Sequence, residues 1–188
     1  MTALAPPTEL LPTNLTTVDE FEAWQQLRPQ EGNHEFVRGR IIPKPAIKQD
    51  EVFIADFLLR LFARTVAYQQ GDSLLAETDS YVDGVRKRIP DLTYLTAAQK
   101  TNIRQGVRVS TLFAIEILSD SESFEDVADK IQDFFDAGAQ LVWYIAPRKR
   151  RIHVYTSATE SRVYAGDTRL SAAPLLPDFA FAVSELFA

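Results

Sequence analysis

Residues 113–118 read Phe-Ala-Ile-Glu-Ile-Leu, an apolar run with one carboxylate near its middle. Apolar side chains on both alternating faces are the pattern of a strand covered on both sides, at the centre of a sheet. Glu116 therefore falls where a lone charge costs several kcal/mol unless it is paired with a cation, protonated or set on a metal ion. A partner arginine elsewhere in the chain is the plainest solution.

The rest of the chain supplies what such a strand needs around it. Residues 1–14 hold three prolines without periodicity and read as a loose arm. Thr17-Val-Asp-Glu20 is a capping box, and Val18, Phe21 and Trp24 recur at helical spacing, which predicts a helix over 17–27. Residues 35–42 read as a strand with a turn or bulge at Gly39, ended by Pro43 and Pro45. Residues 50–68 lack glycine and proline and place apolar residues on every face, the mark of a long buried helix. Strand-like runs follow at 74–82 and 89–95 around a turn at Asp83-Gly84. Residues 96–108 read as a polar loop with a helical turn. A helix is expected from 121 to 137, closed by Gly138, then strands at 141–145, 151–155 and 162–164, a Pro-Asp-Phe-Ala-Phe strand and a short terminal helix. The order predicts an α/β protein with a mixed β-sheet flanked by helices, residues 15–188 forming a single domain.

Composition excludes several chemistries. No cysteine is present, which removes disulfides, thiolate zinc sites and thiol catalysis and makes a cytoplasmic setting the default. Two histidines, His34 and His153, cannot build a histidine-rich metal site. No two of the seven glycines stand two, four or five positions apart, so the dinucleotide fingerprint, the P-loop and the hydrolase elbow are all missing. No apolar stretch approaches the roughly 18 residues of a membrane span, and the N-terminus does not read as a signal peptide. The net charge of −6 repels nucleic acid overall, so any such partner needs a local basic patch.

Two further residues join Glu116. Asp91 follows Pro90 at the start of a neighbouring strand, and two carboxylates on adjacent strands can share a hard cation such as Mg²⁺. Lys130 lies beside the apolar arc of Val127, Ile131, Phe134 and Phe135 on the 121–137 helix. It can bury its stem and bring its ammonium to the strand edge.

Pro90-Asp91, Ile115-Glu-Ile-Leu-Ser119, Asp129-Lys130, Ala137-Gly138 and Leu141-Val-Trp143 together resemble the signature of the bacterial Uma-two family, within the PD-(D/E)XK nuclease superfamily. Residues 35–42 resemble that family's N-terminal strand, and Leu176-Pro-Asp-Phe179 its closing motif. The resemblance implies a restriction-endonuclease-like core and a Mg²⁺-dependent DNA endonuclease, with Mn²⁺ able to substitute. Asp91, Glu116 and the backbone carbonyl of Ile117 would hold the metal, and Lys130 would be the catalytic lysine. The superfamily's usual lysine position, two residues after the acid, is Leu118 here. Glu51 is the candidate for an acidic residue at the start of the long helix, although a helix N-terminus favours acids for its own reasons. DNA is the expected partner, without membrane, and a homodimer is left open. Arg86-Lys-Arg88, just before the Pro-Asp strand, is expected to grip phosphates, whereas Arg148-Lys-Arg-Arg151 reads as a solvated hairpin turn. The rival expectation is a nuclease-fold module that binds or regulates without cutting.

Overall fold

The apolar run forms β7 (Phe113–Ile117), all of it buried. The structure is a computed structural model and describes residues 11–45, 49–118 and 123–188. Strand β7 pairs in parallel with β8 (Leu141–Ala146) and antiparallel with β6 (Leu92–Leu95). With β3 (Ser73–Ala76), β9 (Arg151–Tyr155) and β10 (Ser161–Ala165) they form a mixed sheet in the order β10-β9-β8-β7-β6-β3. Helix α5 (Phe124–Asp136) makes the crossover that a parallel β7–β8 pair requires.

The period of two along β7 divides the core. Phe113, Ile115 and Ile117 pack with Trp143, Ile145, Leu58, Phe62 and Phe179 on one face. Ala114 packs with Val142, Tyr144, Ile131 and Phe134 on the other, beneath α5. Glu116, two residues after Ala114, therefore shares the α5 face.

A second sheet runs in the order β2 (Arg40–Pro43), β1 (His34–Val37), β5 (Arg86–Arg88), β4 (Ser80–Asp83). Its β1–β2 hairpin turns through Arg38 and Gly39, both at positive φ (49° and 84°), the geometry of a two-residue turn matched to strand twist. The chain passes from this sheet to the large one through Ile89, Pro90 and Asp91. Strands β11 (Arg169–Ala172) and β12 (Leu176–Ala182) form a hairpin over the Trp143 face, where Phe179 stacks on Trp143 at 5.6 Å.

Several expectations are corrected. The helix predicted over 50–68 is α2 (Gln49–Phe62) and a separate short α3 (Val66–Gln69). Thr65 breaks it, donating its hydroxyl to the Phe62 carbonyl and accepting from the Tyr68 N–H. Nor is α2 buried on every face, for Phe53 is 70% exposed. The runs at 74–82 and 89–95 hold three strands, β3, β4 and β6, with β5 between the runs, and the four are shared between two sheets. The loop at 96–108 contains α4 (Ala97–Arg104), started by a Thr96–Gln99 capping box. Helix α1 (Val18–Gln26) carries its Thr17–Glu20 capping box as expected, and α6 (Val183–Leu186) ends the chain's regular structure. The first ten residues of the expected arm, and residues 121–122 of the expected helix start, lie outside the described residues. Among the described residues no helix is long and apolar enough to cross a membrane.

Candidate functional site

Antiparallel pairing of β6 with β7 ends at Leu92↔Ile115, and the next step of that register sets Asp91 opposite Glu116. Pro90 has no N–H to continue the ladder. The Asp91 side chain fills the gap, its Oδ2 accepting the Ile117 N–H at 2.6 Å. On the other side, Leu118 N–H donates to the Ile145 carbonyl of β8 at 2.8 Å. Peptide groups alternate along a strand, so the Ile117 carbonyl points with its own N–H to the Asp91 edge.

Lys44, immediately after β2, reaches across to both acids. Its Nζ donates to Asp91 Oδ1 at 2.7 Å and to Glu116 Oε2 at 3.5 Å. Lys130 comes down from α5 and stands 3.7 Å from Glu116 Oε2 and 3.9 Å from Glu35 Oε1. Glu35, on β1, also accepts from Ile89 N–H at 3.0 Å and from the Arg88 guanidinium at 2.9 Å. Arg88 continues to Asp133, one helical turn beyond Lys130, with Nε to Oδ2 at 2.7 Å. Asp91, Glu116 and Lys130 thus meet as the sequence predicts, in a buried network joined by Lys44 and Glu35. Glu51 is buried in the first turn of α2.

The electrostatics are uneven. Burial pushes the Glu116 carboxyl up to about 7, outweighing the downward pull of Lys130 and Lys44, while Asp91 and Glu35 add repulsion. Its Oε1 is buried with no hydrogen-bond partner. Burial opposes the charge on Lys44 as well, but Glu116 and Asp91 reverse this and hold its ammonium charged. Burial would also raise Glu35, and Lys130 and Arg88 instead bring it below the ordinary carboxylate range.

The Glu116 shift has a measurable sign. In the unfolded chain the carboxyl ionises near 4.5, and in the folded chain near 7. Between those values the folded state holds a proton that the unfolded state has lost, so stability falls as pH rises and then levels off above about 7. Glu116→Gln cannot ionise. In metal-free buffer its stability relative to wild type should rise by on the order of 3 kcal/mol between pH 5 and pH 8. Urea unfolding at the two pH values measures this, and an unchanged difference would contradict it.

The Arg86-Lys-Arg88 expectation is overturned. Arg88 is buried between Glu35 and Asp133. Lys87 is buried beside the Phe21 ring and pairs with Asp79 at 3.0 Å. Arg86 bonds Asp83, Asp133 and Asp136. Acidic partners from β1, α5, β4 and the residue before β4 take up the triplet's charge, which therefore serves the fold rather than phosphate. Sequence reasoning also missed Lys44 and the role of Glu35. Glu35 could have been noticed as an acid on a short strand bounded by a tight turn, but Lys44 between two prolines carries no comparable signal.

The donors suit a hard cation. Asp91 and Glu116 offer carboxylate oxygens, one of them unpartnered, the Ile117 carbonyl shares their edge, and an ammonium already stands between the acids as a positive charge. Among the described residues no three acidic or imidazole side chains form a metal cage, but Mg²⁺ takes only one or two carboxylates and keeps its waters.

No curated protein matches the sequence. The fold is similar to the crystal structure of a putative nuclease from Anabaena variabilis, with a TM-score of 0.77 at 22% identity over 91% of this chain and 97% of that one. The model of the Uma2 family, described as putative restriction endonuclease, matches residues 18–184. That span takes in the Pro-Asp crossover, the central strand, α5 and the closing hairpin, and the chain belongs to the Uma2 family.

Proposed function

We infer that this protein is a nuclease that hydrolyses phosphodiester bonds in DNA with the aid of Mg²⁺, for which Mn²⁺ can substitute. The observation that carries the reading is the convergence of Asp91 and Glu116 from neighbouring strands with Lys130 from α5 at one buried point. Asp91, Glu116 and the Ile117 carbonyl would hold the ion. A divalent ion there supplies Lewis acidity, making water a better nucleophile and neutralising phosphate charge. Lys130, steadied by Glu35, places a fixed positive charge beside the reacting phosphate, where it orients the attacking water and stabilises charge growing on the phosphoryl oxygens. Water adds to phosphorus, the bond to the leaving oxygen breaks, and the products are a phosphate monoester and a free hydroxyl.

Support for a polyanionic substrate comes from the turn after β8. Lys149, Arg150 and, at the start of β9, Arg151 are exposed there, at the same sheet end as Glu116, because β7 and β8 run parallel with Ile117 beside Ile145. This turn takes the phosphate-contacting role in place of Arg86-Lys-Arg88. Residues 15–188 act as one nuclease-like domain, and the absence of cysteine fits a cytoplasmic setting.

One observation favours a module that does not cut. Lys44, Lys130 and Arg88 already balance the charges of Asp91, Glu116 and Glu35. Plasmid cleavage separates the readings. With Mn²⁺, wild type should nick or linearise supercoiled DNA, and activity should drop steeply as salt rises. Lys130→Ala should cut at least about 100-fold more slowly while keeping its Mn²⁺ affinity, since the lysine serves the phosphate and water. Wild-type protein inert with every metal would favour the non-cutting module. Full cleavage by Lys130→Ala would remove the lysine from the mechanism.

A further inference from the structure

Lys44 is the residue that family resemblance does not explain. Its ammonium is bonded to both Asp91 and Glu116. The backbone that carries it is anchored, with Lys44 N–H donating to the Asn33 carbonyl at 2.9 Å and Pro43 paired to His34 in the β1–β2 ladder. The lysine stem, by contrast, has four rotatable carbons, so the ammonium can leave while the strand stays in place. Glu116 Oε1, buried and without a hydrogen-bond partner, shows that one lysine does not use all the acceptor capacity of the acids.

We propose that Lys44 is a tethered counterion that occupies the cation position between Asp91 and Glu116 and competes with a divalent ion for it. The inference rests on the reading of those two acids as metal ligands. Two cations on the same pair of buried acids repel each other at short range, so the ammonium and the ion exclude one another. Metal entry then requires the side chain to swing out. The tether makes the competitor's effective concentration high at any protein concentration. The consequence is a threshold: the site stays charge-neutral and closed at low divalent ion and opens only when the ion outcompeted the lysine. Lys130, 3.7 Å from Glu116 and 3.9 Å from Glu35, stays beside the loaded site.

Mn²⁺ titration calorimetry on wild type, Lys44→Met and Asp91→Asn tests the proposal. Lys44→Met should bind Mn²⁺ about tenfold or more tightly than wild type, a coupling of ordinary size for two mutually exclusive ligands, and Asp91→Asn should lose the site. Equal or weaker binding by Lys44→Met, with loss in Asp91→Asn, would overturn the competition and leave the metal reading standing. No binding by any of the three would remove the metal reading and the competition with it. A measurement on wild type covers the case in which Lys44→Met does not fold. In protein with isotopically labelled lysine, the Lys44 ammonium resonance, identified by its loss in Lys44→Arg, should move to the solvent-exposed position as Mg²⁺ is added. A resonance unchanged at saturating Mg²⁺ would overturn the proposal.

Discussion

Arg88→Ala should lower the stability of the folded protein by about 3–5 kcal/mol, the cost typical of removing one partner from a buried ion pair. For a chain of this size that corresponds to roughly 10 °C in melting temperature. Arg88 is 4% exposed and bonds two buried carboxylates from different layers, Glu35 of β1 and Asp133 of α5. Truncation leaves both acids short of a cation in a medium that solvates them poorly. Asp133 keeps Arg86, and Glu35 keeps the Ile89 N–H and distant Lys130. Arg88→Lys should recover only part of the loss, because an ammonium cannot reproduce a planar fork that reaches two acids on opposite sides. A melting temperature within a degree or two of wild type would show that the network is not what joins β1 to α5.

Asp91→Asn should abolish divalent-ion-dependent cleavage, with a fall of about 1,000-fold or more in rate, and should remove most of the stabilisation that Mn²⁺ gives the folded state. Wild type should gain stability from Mn²⁺ by mass action, because the unfolded chain has no preformed pair of acids. The asparagine carbonyl can still accept from Ile117 N–H, so the strand edge survives while the charge is lost. The side-chain charge, rather than the fold, is then what the variant tests. An equal Mn²⁺-induced shift in melting temperature for wild type and variant would place the metal elsewhere. Retained cleavage would exclude Asp91 from the chemistry.

The parts of the site that were legible in the sequence are those where chemistry violates a local pattern. Glu116 interrupts an apolar run, and no reading of a central strand absorbs a free carboxylate. Lys130 follows from helical spacing, since Val127, Ile131 and Phe134 fix the buried arc and so fix what lies on its flank. Asp91 needed the register of β6 on β7, which no single segment encodes, and the resemblance supplied it. Lys44 and the true role of Arg86-Lys-Arg88 were illegible for one reason. Charge says nothing about its partner, and these partners lie 45 to 72 residues away for Arg88 and Lys44 in contacts made only by tertiary packing. The same holds for the fold. The β1–β2 turn and the α1 cap are local and were readable, whereas the division of 73–95 between two sheets depends on which strand each segment meets. The helix break at Thr65 contains neither glycine nor proline and depends on a hydroxyl serving two turns at once.

The position of the cation is the most direct test of the account. Crystals soaked in Mn²⁺ should show one anomalous scattering peak bonded to both Asp91 and Glu116, at about the 2.0–2.2 Å expected for a small hard divalent ion, with the Lys44 ammonium displaced from between them. A peak bonded to neither acid, or no peak at saturating Mn²⁺ with Lys44 still bridging Asp91 and Glu116, would contradict it.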